Sequence, residues 1–493
     1  MRRWFFILAG SLLVLVLLLG GGCGDNVFEP NENRPPETGL AITGQDLSTS
    51  LYKVMLKWWG SDPDGEVNGF HYRWTAEPGT EVFDLDTVWT YTAFASKEFL
   101  LPVPDTTAAF LFEVRAMDNL GLVDPTPASQ TYPFYNNPPA VEIRFPELLP
   151  DSTWPVIALG WDAFDPDGDT TISRHLIWVK GREASPTEID AEKDSVLLYP
   201  ADLDTFGSVT IMLQTIDEGY AASPPDSFDV FLYPIKGDIL LVDDYPLSNS
   251  PVVNVDGFYR TVLTDRVGEE GYTILNLNKT PFDTDVLFTA FLTAFDHVLW
   301  YTGNRQRSAI GDEQRFTQMS LADSGLAVHL DRGGNLFMAS LNAIGNYGAI
   351  SSLIYQEYFG LDTVYSNPVT ASSNFEFIPI EEGGTRVCEI PLRAVEGTGL
   401  PDLTLRCPIR YLGVDAVVDT TDAFRAERLY YFPPGVFRSQ PPVDFTLATR
   451  FDLPDPAGKV VLCTFPFSLY YAGENNDDVL NDWLDWFGAQ SSP

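Results

Sequence analysis

Hydrophobic and polar residues follow two different rhythms along this chain. From residue 35 to 236 apolar positions recur every second residue over short runs, as at Phe70, Tyr72 and Trp74, between turns rich in Pro, Asp and Gly. A period of two over runs of this length predicts strands with one buried face. From residue 237 the rhythm changes. Gly237-Asp-Ile-Leu-Leu-Val-Asp-Asp244 is a continuous apolar run that stops on an acidic pair, the pattern of a strand covered on both faces. Similar runs lie at 272–277, 295–303, 335–339 and 458–467. Between them, helical spacing predicts helices over 257–270 (Phe258, Val262, Leu263, Val267), 287–295, 312–330 (Phe316, Met319, Leu326, Leu330) and 479–487. Residues 364–457, rich in Pro, Thr and Val, read as an irregular β-rich insertion. The predicted fold class is multidomain: two all-β sandwiches, then an α/β doubly wound domain over 237–493.

The β-rich part is a duplication. Asn33-Arg34-Pro35-Pro36 is matched by Asn136-Asn137-Pro138-Pro139, and Asp62-Pro-Asp-Gly65 by Asp165-Pro-Asp-Gly168; both landmarks are 103 positions apart. Phe112 to Gly121 is answered by Ile211 to Gly219. A repeat of this length, built of short strands and tight turns, predicts two seven-stranded sandwiches over 35–136 and 137–236. Tryptophans ending the strands after each Asp-Pro-Asp-Gly loop, Trp74 and Trp178, are expected to plug the two cores. These motifs resemble fibronectin type III and related immunoglobulin-like modules of bacterial surface proteins. The Pro-Pro pairs stiffen each junction, as a spacer requires.

At the N-terminus Arg2 and Arg3 precede an apolar stretch from Trp4 to Leu19, followed by Gly20-Gly21-Gly22-Cys23. That is an export signal over residues 1–22, too short for a membrane span. It resembles a bacterial lipoprotein signal, although Gly20 stands three residues before the cysteine where that family has Leu. The resemblance implies that Cys23 is lipidated, that residues 23–34 form a tether, and that the protein sits in the bacterial cell envelope with the membrane as a partner. An uncleaved N-terminal anchor is the alternative. The formal charge of -39 excludes nucleic acid as a partner, since nothing could neutralise a phosphate backbone. It fits an acidic, self-repelling surface.

Candidate chemistry is sparse. Asp62, Asp64 and Asp118 in the first copy, and Asp165, Asp167 and Asp217 in the second, supply hard oxygen donors of the type calcium takes. Turn chemistry alone also explains Asp-Pro-Asp-Gly, with Pro setting φ and Gly accepting a left-handed conformation. Besides Cys23 there are three cysteines. Cys388 and Cys407, 19 apart in β-rich sequence, are the candidate disulfide in an oxidising compartment; three free buried thiols, Cys463 included, are the other reading.

The series LLVDD, FDHVLWYTG, GGNLFMAS and KVVLCTFPF resembles the class I glutamine-amidotransferase-like (flavodoxin-like) domain found beside sandwich modules in exported bacterial proteins. Active members carry a Gly-x-Cys-x-Gly elbow after the strand matching 335–339, and a late His-x-Glu. Here Ser340 stands at the elbow without flanking glycines, and Phe465-Pro466-Phe467 replaces the His-x-Glu, which implies that the triad is missing. Ser340 is a weak catalytic candidate, because Gly-x-Ser-x-Gly is needed for a hydrolase elbow and Met338 and Asn342 occupy the glycine positions. Asp243 and Asp244 are similar to the acidic pair of response-regulator receivers, but a solvated turn explains them as well. A ligand is expected at the carboxyl ends of the strands, at a rim of Asp243, Asp244, Thr302, Gly303, Asn304, Ser340 and Asn342. These readings favour a non-catalytic binding, adhesion or structural module with an envelope protein or glycan as partner, and no cofactor beyond calcium. The alternative is an envelope hydrolase of peptides or glycans that uses the C-terminal domain.

Overall fold

A computed structural model describes residues 32–41, 52–76, 85–104, 106–145, 149–244, 255–277, 279–280, 282–302, 313–339, 354–359, 363–370, 380–382, 385–408, 413–418, 426–431, 446–454, 457–465 and 476–489. The export signal, Cys23, Gly303, Asn304, Ser340 and Asn342 lie outside the described residues. Among the described residues no helix is long and apolar enough to cross a membrane.

The first copy has strands β1 (Glu37–Leu40), β2 (Lys53–Ser61), β3 (Val67–Ala76), β4 (Thr90–Thr92), β5 (Ser96–Leu100), β6 (Thr107–Asp118) and β7 (Ala128–Tyr135). They form two sheets, β1-β2-β5 and β4-β3-β6-β7. The second copy has β8 (Ala140–Ile143), β9 (Ser152–Thr153), β10 (Ile157–Phe164), β11 (Ile172–Val179), β12 (Thr187–Asp190), β13 (Ser195–Leu198), β14 (Gly207–Asp217) and β15 (Asp226–Leu232). Its sheets repeat the first topology as β8-β10-β13 and β12-β11-β14-β15, with short β9 added in parallel beside β15.

The core tryptophans differ from the expectation in the second copy. Trp58 and Trp74 fill the first core, packed around Phe112. In the second, Trp161 is buried and Trp178 is only half-buried, while β11 turns His175 and Ile177 inward. The reason is register. Trp58 lies four residues before Asp62, as Trp161 lies four before Asp165, so these two are equivalent; Trp59, one residue on, is 56% exposed. With a side-chain period of two, one residue of offset moves a side chain to the opposite face.

The C-terminal part contains β16 (Ile239–Asp244), α1 (Val255–Val267), β17 (Tyr272–Asn276), α2 (Asp285–Leu292), β18 (His297–Thr302), α3 (Glu313–Asp331), β19 (Asn335–Ala339) and, late in the chain, α4 (Asn476–Phe487). Thr284 caps α2 by accepting from the Leu287 N–H, 3.2 Å away. Further strands are β20 (Thr363–Thr370), β21 (Ile380–Glu382), β22 (Thr385–Ala394), β23 (Leu403–Pro408), β24 (Gly413–Val418), β25 (Glu427–Tyr431), β26 (Thr446–Asp452) and β27 (Lys459–Cys463). Strands β17-β16-β18-β19-β27 run parallel in that order. Alternate residues feed opposite faces: Leu241, Leu299 and Phe337 meet α1 and α4, while Leu240, Trp300 and Met338 meet α2 and α3. The segment read as an irregular insertion continues this sheet instead, since β26 pairs antiparallel with β27 and leads on to β25 and β22. Its alternation was masked by Pro and Thr, which β-edges and half-buried strands tolerate.

The chain divides into two compact units, and the boundary does not follow the repeat. Phe164–Ser173 and Thr215–Ser223, one loop end of the second sandwich, belong with Met1–Ala140; the rest of that sandwich, Val141–Ala163, Arg174–Gln214 and onward from Pro224, belongs with the α/β sheet. Within the latter unit Trp154 and Val156 join one hydrophobic cluster with Leu240, Val242 and Phe288, and the Trp154 ring lies 4.8 Å from that of Phe291. The backbone adds to this: Tyr233 N donates to Thr153 O, and Lys236 N donates to Thr273 Oγ1, which donates back to Lys236 O. Trp154→Ala is expected to lower the stability of this unit by about 3–5 kcal/mol, the cost of emptying a large buried aromatic site. Urea unfolding followed by tryptophan fluorescence and by amide circular dichroism checks it.

Candidate functional site

Each Asp-Pro-Asp-Gly loop faces the Asn-x-Pro-Pro segment that leads into its own module. The two prolines have no N–H, so the donors left there are the asparagine amide and the N–H of the next residue. Both find carboxylates. In the first copy Asn33 Nδ2 donates to Asp118 Oδ2 at 2.6 Å and the Arg34 N–H to Asp64. In the second, Asn136 Nδ2 donates to Asp217 Oδ2 at 2.9 Å, while Asn137 donates to Asp167 through its N–H and its amide. The loops are also tied internally. Asp62 accepts from the Asp64 N–H, Asp165 accepts from the Asp167 N–H and the Thr171 hydroxyl, and Gly168 takes φ 119° to close its turn. The six residues considered as calcium ligands, Asp62, Asp64, Asp118, Asp165, Asp167 and Asp217, are thus held by donors of their own loops and lead-in segments. Among the described residues no group of three or more His, Cys, Asp or Glu is placed to hold a metal ion.

The two equivalent carboxylates behave in opposite ways. Burial pushes the Asp118 carboxyl up, but the Asn33 amide and the N–H groups of Leu120, Leu122 and Gly121 outweigh it and leave it below the usual range. For Asp217 burial wins: despite donors from Asn136, Ala221 and Gly219, and helped by the Asp165 charge, its carboxyl is pushed up to about 6. The extra burial comes from the first sandwich. Asn136 is fully buried and also donates to Val103 O, Val103 N donates to Gly219 O, and a Cβ on Gly219 would lie 2.6 Å from Asn136 Nδ2 and 2.9 Å from the Tyr52 ring.

A carboxyl held above its unfolded value stabilises the fold below about pH 4 and loses that contribution as pH rises through about 6. Asp217→Asn removes this dependence. The stability difference between variant and wild type is expected to shift in the variant's favour between pH 4 and pH 6 and to stay constant above, read by denaturant unfolding across that range.

At the carboxyl ends of the parallel strands, Asp243 and Asp244 close β16 and Thr302 closes β18, all three buried. Asp243 Oδ2 accepts from Asn276 Nδ2 at 2.6 Å, and Asp244 Oδ2 lies 3.4 Å from Trp300 Nε1. Burial, then the charges of Asp243 and Asp256, push the Tyr301 hydroxyl well up; its ring stacks on Tyr259 at 4.5 Å. The reading of Asp243 and Asp244 as a solvated turn is corrected here: both are strand residues inside the fold.

The opposite, amino ends hold a polar cavity of about 430 Å³ that sequence reasoning missed, lined by Asp238, Asp296, His297, His329, Arg332 and Asn335 among others. Asn335 is its hub. Its Nδ2 lies 3.0 Å from His297 Nδ1, its Oδ1 accepts from the Lys459 N–H, and its carbonyl lies 3.3 Å from His329 Nε2. Burial drives His297 down, and drives His329 down to about 4. The other two histidines belong to the sandwiches, His71 against Tyr91 and His175 against Trp161. A histidine with a depressed value stabilises the fold while neutral, and that contribution is lost as pH falls from about 6.5 toward 4. His329→Gln is therefore expected to narrow the stability gap to wild type between pH 7 and pH 4.5, again measured by denaturant unfolding.

A second cavity, about 650 Å³, opens beside edge strand β17, where Trp154, Tyr233 and Tyr272 meet Lys236, Arg260 and Glu269. Nothing in the local sequence marked it, because its walls come from three segments far apart in the chain.

No family model matches the chain, and no curated protein matches it. Solved structures similar to it are fibronectin type III modules. The fibronectin(III)-like modules of Clostridium thermocellum CbhA are 17% identical over 36% of this chain and 85% of theirs, with a TM-score of 0.19. Chicken CNTN1 FN1–FN3 domains are 12% identical over 42% and 68%, TM-score 0.19. A two-domain fibronectin type III segment from chicken tenascin is 13% identical over 40% and 99%, TM-score 0.16. At such values the likeness carries nothing about activity or partners.

Proposed function

We propose that this is an exported, lipid-anchored protein of the bacterial cell envelope, in which two fibronectin type III-like spacers carry a flavodoxin-like domain that binds a ligand without transforming it. The observation that carries this reading is the division of labour between the two ends of the parallel strands. The histidines of the α/β domain, His297 and His329, are tied to Asn335 at the amino ends. Asn335 and Ala339 bound a five-residue strand, so those imidazoles are roughly 13 Å from the carboxyl ends, where the elbow would be. The carboxylates at that rim, Asp243 and Asp244, already accept protein donors. Neither of these histidines stands where it could serve a serine at that rim as general base, which must lie within hydrogen-bonding reach. A cleft with three aromatic rings, two cations and carboxylates offers instead the mixed lining of a binding site.

Two measurements test the proposal. Metabolic labelling with a radioactive fatty acid is expected to mark the full chain and to be abolished by Cys23→Ala. Capture from envelope extract is expected to retain a ligand on the wild type and to lose it with Thr261→Trp, which fills the cleft from an exposed helix position. Turnover of envelope peptides or glycans that disappears in Ser340→Ala or Asp243→Ala would replace binding with hydrolysis.

A further inference from the structure

Strands β22 and β23 form an antiparallel pair in which Val387 faces Pro408, Glu389 faces Arg406, and Cys388 faces Cys407 directly. Directly opposed residues share one face of the sheet, with Cα atoms about 4.5 or 5.5 Å apart according to the hydrogen-bonding class of the pair. A disulfide requires about 4.4–6.8 Å between Cα atoms. The backbone register therefore already satisfies the constraint that most pairs of cysteines fail. The remaining thiol has no such counterpart: Cys463 faces Ala339 on one side and Ala448 on the other, is fully buried, is free, and is pushed well up by burial. A thiol held protonated in an apolar site is a poor nucleophile for exchange.

We infer that Cys388 and Cys407 form a cross-strand disulfide in the mature protein. The inference rests on the export reading only for its oxidant, a dithiol oxidase or a small-molecule disulfide of the extracytoplasmic space. A thiolate of the pair attacks the oxidant's disulfide, and the second displaces the oxidant from the mixed disulfide. One S–S bond forms in the chain and one breaks in the oxidant, which leaves with two electrons and two protons, as a dithiol from an oxidase or as two thiols from a small-molecule disulfide. The bond closes a loop that spans the β22–β23 hairpin, at the part of the sheet built from antiparallel strands rather than covered parallel ones.

The test uses the full chain recovered from envelope, with free thiols alkylated under denaturing conditions before tryptic digestion without reduction. Cleavage after Arg386, Arg393, Arg406 and Arg410 isolates residues 387–393 and 407–410, one cysteine in each. The expected result is a single species joining these two peptides, lost on reduction, with Cys463 recovered alkylated. A second arm treats full chain made in the reducing cytosol with oxidised glutathione. If the link forms in this arm and is missing from the envelope-targeted sample, the disulfide geometry stands and the export reading falls. Both cysteines alkylated in both arms, or Cys463 joined to either of them, overturns the inference.

Discussion

A carboxylate taken out of water in this protein is met by an amide far more visibly than by a cation. Among the described residues the buried acids are Asp118, Asp124, Asp165, Asp217, Asp243 and Asp244. Asp118 and Asp217 take the side-chain amides of Asn33 and Asn136, and Asp243 takes that of Asn276. Backbone N–H groups and a threonine hydroxyl complete the loops at Asp118, Asp124 and Asp165. A buried polar group left unpaired costs on the order of 1–3 kcal/mol, and more when it is charged, so these bonds constrain which segments can lie together. They help fix where each sandwich begins, because the asparagine amide and the next N–H of each Asn-x-Pro-Pro segment reach the loop carboxylates.

The same constraint turns a junction into structure. A fully flexible connection between the repeats would leave Asn136 in water and Asp217 ionised at low cost. Instead Asn136 bridges Val103 of the first module and Asp217 of the second, and the resulting burial is what separates Asp217 from its twin Asp118. Within the other compact unit Trp154 enters the hydrophobic cluster of the α/β sheet beside Phe291. The first junction is held by hydrogen bonds, and the second by ring packing together with the Tyr233–Thr153 and Lys236–Thr273 hydrogen bonds.

In the α/β part, the two ends of one set of strands have been given different tasks. At the amino ends a network centred on Asn335 satisfies His297, the Lys459 N–H and the neighbourhood of His329. At the carboxyl ends, where open α/β sheets usually hold their ligands, the acids that close β16 are engaged with the protein itself. The cleft beside β17 gathers aromatic and charged groups from separate segments, with its Lys236 paired to Glu270 and its Arg260 to Asp256.

Repeat length, the two rhythms of hydrophobicity and the acidic pair after Val242 were all legible in the sequence, because each is a local pattern imposed by strand or helix geometry on nearby residues. So was the spacing that links Asn33 to Asn136 and Asp62 to Asp165. What the chain order did not disclose were partners chosen by folding. Trp161 rather than Trp178 fills the second core because one residue of offset decides the face. The segment 364–457 extends the main sheet because β27 offers β26 an open edge. Cys388 came opposite Cys407 through strand register, and Asn335 met His297 from a neighbouring strand. Local alternation determines which side chains are buried; only the three-dimensional pairing of distant segments decides what each buried group touches.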